Sequence, residues 1–272
     1  MAAPARYAVI GNPVGHSRSP RIHALFAEQT GEPIAYTRLE APEAGFAAVA
    51  EAFFAGGGSG LNVTVPFKEA ACAWADTLSK RARAAAAVNT LRAEADGRRH
   101  GDNTDGAGLL RDLRDNLGVA VAGRRLLVIG AGGAARGILP TLLDEAPGEV
   151  LIANRTAERA ERLAAERPGV RACGLEALAG QGGFDVLLNT TAAGLQGQMP
   201  ALPGELLASG AAAYDLVYAD ADTPFMAWAR RHGAALVADG LGMLVEQAAE
   251  SFAVWRGVHP RTAPVIEALR GG

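Results

Sequence analysis

Short apolar runs alternate with amphipathic helical patterns along nearly all of the 272 residues, and one of those runs feeds a glycine-rich turn that opens a helix. The alternation breaks once, over residues 105–123, where a helical pattern ends in a glycine-containing turn. Together these observations predict an α/β protein of two domains, with parallel sheets joined by right-handed crossovers.

Taken in order, Tyr7–Ile10, Ile34–Leu39 and Leu61–Val65 read as strands. Between them, Pro20–Gln29 places Ile22, Leu25, Phe26 and Gln29 at helical spacing, and Ala44–Ala55 does the same with Phe46, Val49 and Phe53. Residues 88–100 read as a hairpin about Asp96-Gly97, a strong turn signal. A second series has strands at Arg125–Ile129, Val150–Ala153, Phe184–Asn189, Ala213–Val217 and Ala235–Ala238, with helical patterns over 134–143, 157–166 and 224–232. Beyond Gly242 the chain turns helical, with Leu244, Ala248, Ser251, Phe252 and Trp255 along one stripe. A last helix opens at Pro264, which suits a first helical position.

Composition narrows the class. The chain is 49% hydrophobic and 20% charged, with a formal net charge of −3, as in an ordinary globular protein. Its arginines are scattered among carboxylates, which argues against a nucleic-acid partner. Cys72 and Cys173 stand far apart with no CxxC, and the five histidines lack ligand spacing, so neither a disulfide scaffold nor a metal site is expected. No signal-peptide pattern and no apolar run of ~18 residues is present. A cytoplasmic protein without a membrane partner is the expectation.

Residues 125–137, RLLVIGAGGAARG, carry chemistry. Gly130, Ala131, Gly132, Gly133, Ala134 and Ala135 form G-x-G-x-x-A between a strand and a helix. This is the turn that lets backbone approach a pyrophosphate at a helix amino terminus. An NAD site places a carboxylate at the end of the next strand. Here that strand ends in Asn154-Arg155-Thr156, with Arg159 one turn on. Guanidiniums there would pair with a 2′-phosphate, which points to NADP(H); the plain alternative is a solvated helix start beside Glu158 and Glu161.

Polar clusters also end the N-terminal elements: Ser17 and Ser19 in GNPVGHSRSP, Asn62, Thr64 and Lys68 in LNVTVPFKEA, Asn89 and Thr90 in AVNT, and Asp105 in GDNTD. Loops at the carboxyl ends of parallel strands converge, so these groups outline a site for a polyhydroxylated anionic molecule. Singly, each has a structural reading: Ser19 before Pro20 suits an N-cap, and Asn103-Thr104-Asp105 could cap a helix over Gly106–Asn116. Lys68 is one of two lysines, against 24 arginines. Arginine supplies charge but, with a pKa above ~12, does not give up its proton, so an acid/base role explains a retained lysine.

These motifs, with NTTAAGL, YDLVYADADTPF and DGLGMLVEQAA, resemble the shikimate dehydrogenase family in order and spacing over essentially the whole chain. The resemblance implies an NADP-dependent reductase of 3-dehydroshikimate to shikimate, an oxidoreductase of chorismate and aromatic amino-acid biosynthesis. It implies a substrate domain of residues 1–105 and 241–272, the last helices returning to it, and a doubly wound Rossmann-type NADP-binding domain of residues 106–240. It would place Ser17 and Ser19 on the substrate carboxylate with Tyr218 assisting. Asn62, Thr64, Asn89, Asp105 and Gln247 would meet ring hydroxyls, and Lys68 and Asp105 would form the catalytic pair. Gly130–Ala134, Asn154, Arg155, Thr156 and Arg159 would take the cofactor phosphates. Thr190, Leu216, Gly240 and Met243 would line the nicotinamide side, although Leu216 and Met243 also read as core. Ala192 and Ala193 replace the family's frequent serines and carry no catalytic weight; residues 195–200 receive no role. A catabolic quinate/shikimate dehydrogenase and a non-catalytic sensor on the same fold stay open, as do monomer and homodimer.

Overall fold

The computed structural model describes residues 3–271. It divides into two compact units, Met1–Leu109 with Leu244–Gly272, and Leu110–Met243.

The first unit carries β1 (Ala5–Gly11), α1 (Ser19–Thr30), β2 (Ile34–Glu40), α2 (Phe46–Ala55), β3 (Gly58–Val63), α3 (Lys68–Trp74), β4 (Thr77–Leu78), α4 (Lys80–Ala85), β5 (Thr90–Ala93), β6 (Arg99–Asp102) and α5 (Asp105–Arg111). Its six-stranded sheet has the order β2-β1-β3-β5-β6-β4. The sheet is mixed rather than all-parallel, because β5 pairs antiparallel with both β3 and β6. The turn at Asp96-Gly97 closes the β5–β6 hairpin, and the connection from β3 through α3, β4 and α4 delivers β5 against the direction of β3. Strand β3 stops at Val63, short of the Val65 end that the sequence suggests. Phe67 N donates to Thr64 O at 2.9 Å, and this turn delivers the chain into α3 with Lys68 as its first residue.

In the second unit a π-type turn (Asp112–Asn116) continues from α5, where the sequence suggests one plain helix. Then follow β7 (Arg125–Ile129), α6 (Gly133–Asp144), β8 (Glu149–Asn154), α7 (Ala157–Ala165), β9 (Val170–Gly174), β10 (Phe184–Asn189), β11 (Leu207–Asp215), α8 (Pro224–Arg231) and β12 (Leu236–Ala238). The order β12-β11-β10-β7-β8-β9 is parallel throughout, the doubly wound arrangement with its switch point between β7 and β10. Leu126–Ile129 is buried on both faces, as a central strand between helical layers must be. Ala135, Ile138, Leu139 and Leu142 form the inward stripe of α6. Strand β9 is not legible in the sequence, since VRACG has no apolar run. Strand β11 ends at Asp215, two residues before the expected Val217, because the Asp215 carboxylate accepts from Val217 N at 3.1 Å and turns the chain.

Helix α9 (Leu241–Arg256) leads back to the first unit, and α10 (Ala263–Arg270) follows with Pro264 in its first turn. Ile22, Phe26, Val245, Ala248, Phe252 and Val265 form a core that joins α1, α9 and α10.

Candidate active site

In the first unit, the antiparallel β5 brings its amino end to the carboxyl end of β3, since Thr90 lies opposite Asn62 and opposite Asp102 of β6. Asn89 therefore reaches the site from a strand start, not from the parallel-strand end that the alternation suggests. Lys68 Nζ lies 2.6 Å from Asp105 Oδ2, with side-chain exposures of 14% and 5%. The other oxygen, Asp105 Oδ1, accepts from Asn89 Nδ2 at 2.8 Å. Asp105 N in turn donates to Asn103 Oδ1 at 3.1 Å, so Asn103 serves the start of α5 and the Asp105 carboxylate stays with Lys68 and Asn89.

A connected network surrounds this pair. Asn89 Nδ2 also reaches Thr104 Oγ1 at 2.9 Å and Gln247 Oε1 at 3.3 Å, while Asn89 Oδ1 accepts from Thr104 N and Thr90 Oγ1. Gln247 comes this close because α9 crosses α5 at Gly108, where a Cβ would stand 2.6 Å from the Gln247 backbone nitrogen. Asn62 Nδ2 donates to Ser251 Oγ at 2.9 Å, and Asn62 Oδ1 accepts from Tyr36 Oη at 2.8 Å, which fixes the orientation of the amide. Behind it, burial pushes the Tyr36 phenol far up from its ordinary pKa. Ser17 Oγ donates to Ser19 Oγ at 3.1 Å and accepts from Ser19 N, so Ser19 is the first helical residue and not the N-cap. Among the described residues the Thr64 hydroxyl has no hydrogen-bond partner.

The sequence reads Thr104 only as part of a helix cap and gives Tyr36 and His23 no role. Fully buried His23 stacks on Tyr36 at 4.3 Å, and neither ring nitrogen has a hydrogen-bond partner. Burial pulls its pKa down to about 3, against an opposing influence of the Asn62 side chain. Ser251 was visible on the α9 stripe, four residues after Gln247; a hydroxyl in an apolar stripe is the signal that marks it.

In the second unit, Gly130 follows β7 with φ 111°, and a Cβ there would strike Thr190 Oγ1 just past the end of β10. Both conditions demand glycine. Gly132 caps α6 without a side chain, which leaves the helix amino terminus open to an anion. Gly130, Asn154, Arg155, Thr156 and Arg159 border a cavity of about 460 Å³. Arg155 and Arg159 make no ion pair with Glu158 or Glu161, nor with any other described carboxylate. Ala192, Ala193, Gln198, Met199 and Pro200 border the same cavity, although the sequence assigned nothing to 195–200.

Thr190 abuts Gly130 and donates from N and Oγ1 to Ile129 O at 2.8 and 2.9 Å, while Leu216, Gly240 and Met243 are not among the cavity's lining residues. Leu216 N donates to Asn189 O at 2.9 Å, Gly240 N to Val217 O at 3.2 Å, and Met243 N to Tyr214 Oη at 3.2 Å. Asp215 anchors the loop that carries Leu216 and half-buried Tyr218, accepting from Asn189 Nδ2 and Thr223 Oγ1. Burial raises the Asp215 pKa, and those hydrogen bonds oppose the rise. Tyr218 belongs to the second unit, whereas the other residues assigned to substrate belong to the first.

A doubly wound dinucleotide-binding unit together with an α/β unit holding a largely covered lysine on a buried aspartate defines a class of nucleotide-dependent α/β proteins. Residues 9–91 match the family model described as the shikimate dehydrogenase substrate binding domain, 113–195 that of shikimate/quinate 5-dehydrogenase, and 240–270 that of the shikimate 5′-dehydrogenase C-terminal domain. The shikimate dehydrogenase (NADP(+)) of Halorhodospira halophila is 69% identical over 266 residues, which span 98% of each chain. The crystal structure of shikimate 5-dehydrogenase from Thermus thermophilus in complex with NADP(H) and shikimate aligns with a TM-score of 0.87 at 37% identity, over 98% of this chain and 99% of that one. An Ael1 enzyme from Pseudomonas putida aligns with a TM-score of 0.90 at 47% identity, over 97% and 98%. The chain belongs to the shikimate dehydrogenase family. Among the described residues, no group of His, Cys, Asp or Glu could hold a metal ion, and no helix is long and apolar enough to cross a membrane.

Proposed function

We propose that this protein is an NADP(H)-dependent shikimate dehydrogenase, which interconverts 3-dehydroshikimate with NADPH and a proton, and shikimate with NADP⁺. The observation that carries the reading is the Lys68–Asp105 contact of 2.6 Å inside a network of amides and hydroxyls. A bound dinucleotide would supply the hydride. The second unit fits it through the Cβ-free turn at Gly130, the open amino end of α6 and two guanidiniums without protein carboxylates.

The chemistry asked of the first unit is a proton at one oxygen. Reduction of the ketone builds negative charge on that oxygen, and the Lys68 ammonium donates to it as the charge develops. Asp105 holds the ammonium in place and offers its second oxygen through Asn89, so donor and carboxylate move as a unit. In the oxidative direction, neutral Lys68 accepts the hydroxyl proton. Ser17 and Ser19 hold the carboxylate with Tyr218 assisting, and Asn62, Thr64, Asn89 and Gln247 select the ring hydroxyls. Arg155 and Arg159 pair with the 2′-phosphate, while Asn154, Thr156 and the 130–134 turn seat the rest of the cofactor's phosphates. Thr190, Leu216, Gly240 and Met243 face the nicotinamide.

The test is spectrophotometric NADP⁺ reduction by shikimate, with quinate and NAD⁺ alongside, for wild type and Lys68→Ala. Turnover of shikimate with NADP⁺, lost in the variant, is expected. A Lys68→Ala protein that keeps more than a few per cent of wild-type kcat would overturn the acid/base assignment.

A further inference from the structure

The proposed carboxylate site is built from two neutral hydroxyls, both buried, at Ser17 and Ser19. A carboxylate moved from water against hydroxyls alone gains hydrogen bonds but no compensating charge. Part of that compensation comes from α1, a 12-residue helix with no acidic residue in its first turn, whose amino end begins at Ser19.

The rest lies on β2. Arg38 directs Nε and Nη2 to the backbone carbonyl of Ser17, at 3.1 and 2.6 Å. Two of its five N–H donors are used in this way. Among the described residues Arg38 makes no ion pair, and Glu40, two positions along the same strand, does not engage it. Some arginines of this unit sit on carboxylates, as Arg81 does on Asp102 and Arg99 on Asp76, whereas Arg6 and Arg83 donate to the carbonyls of Gly56 and Leu78; Arg38 differs from these in that its carbonyl belongs to Ser17. Arg18, between the two serines in sequence, donates to Leu269 O on α10 at 3.3 Å. Arg38 is thus an un-neutralised cation fastened to the backbone of one carboxylate-binding serine.

We propose that Arg38 is the positioning residue and counter-charge for the substrate's carboxylate: it sets the Ser17 carbonyl by two hydrogen bonds and makes the site select an anionic ring over a neutral one. The proposal rests on the assignment of Ser17 and Ser19 to that carboxylate. A partly screened charge of this kind is worth about tenfold in apparent affinity, and the effect falls on KM, because the carboxylate takes no part in proton or hydride transfer.

The experiment compares shikimate with its methyl ester, which keeps the ring and hydroxyls but carries no charge, on wild type, Arg38→Met and Arg38→Lys, with thermal melting as a check on folding. Expected for Arg38→Met are a KM for shikimate raised about tenfold, a KM for the ester moved by less than about twofold, and a weaker dependence of KM on ionic strength; Arg38→Lys recovers most of the loss. An equal rise for acid and ester, or an unchanged KM for the acid, overturns the proposal. Should Arg38→Met fail to fold, Arg38→Gln, which keeps a donor for the Ser17 carbonyl without the charge, gives the same readout. A wild type that neither binds nor oxidises shikimate removes the functional reading and this inference together. A wild type that turns over normally while the uncharged variants match it removes only the role of Arg38.

Discussion

The candidate sites of the two units handle their polar groups in opposite ways. In the first, Asn62, Asn89, Thr90, Thr104, Gln247 and Ser251 are hydrogen-bonded to one another, and Lys68 has its carboxylate. In the second, Arg155 and Arg159 border a cavity with no protein carboxylate on either. Satisfied networks hold their members in one geometry, which suits a small rigid ligand recognised by the placement of several hydroxyls. Unpaired guanidiniums at a helix start keep their charge for a phosphate, which brings its own acceptors. Geometry dominates the preparation around Lys68, and charge dominates it beside the turn at Gly130.

Removing the centre of the prepared network should have the largest effect. Lys68→Ala is expected to lower kcat by about 10²–10⁴, the range of general acid–base catalysis, with KM little changed; steady-state assays in both directions measure it. On the other side of the comparison, Arg155→Ala should lower the NADPH-over-NADH preference in kcat/KM by about 10–100-fold, as loss of one charge-assisted pair implies. An unchanged preference would mean that charge is not what the second unit prepares.

His23 departs from this pattern in the first unit, a buried ring whose two nitrogens have no hydrogen-bond partner among the described residues. Its pKa in the folded protein lies at about 3, against 6.5 for the ordinary group. Between those values the unfolded chain binds the extra proton, so stability falls as pH drops from about 6.5 towards 3. From about pH 7 to about pH 5 the loss is about 2 kcal/mol. Denaturant melts of wild type and His23→Phe at these two pH values should show a flatter acid limb in the variant; parallel limbs would remove His23 as the source.

The smallest effect belongs to Thr64, whose hydroxyl the network leaves without a partner. Thr64→Val, nearly the same shape, should raise KM for shikimate about threefold to tenfold, the worth of one hydrogen bond of about 1 kcal/mol, and leave the melting temperature where it was. A lower melting temperature would place Thr64 inside the network after all.

Much of this was legible in the sequence because it is local. The strand–turn–helix around Gly130 and the arginines after β8 lie within short windows, and the Asp96-Gly97 turn marked the hairpin. The pairing of β5 was not legible: an antiparallel β5 beside β3 brings Asn89 to the end of β3, and only strand order and direction decide that. The crossing at Gly108 that admits Gln247 depends likewise on two helices distant in sequence. Strand β9, with one buried residue in five, lacks the apolar run that would announce it. Gln198 and Met199 border the cavity from a segment without periodicity, and Tyr36 and His23 passed for ordinary members of a strand and a helix.

The scarcity of lysine makes the site chemically addressable. Lys68 is one of two lysine side chains, held against Asp105 and largely covered, whereas Lys80 stands exposed at the start of α4. An amine-acylating reagent therefore meets one sheltered and one open lysine. The ratio of their labelling, read by peptide mass, reports the ion pair directly, and a ligand seated over Lys68 would register as protection there while Lys80 serves as the internal standard.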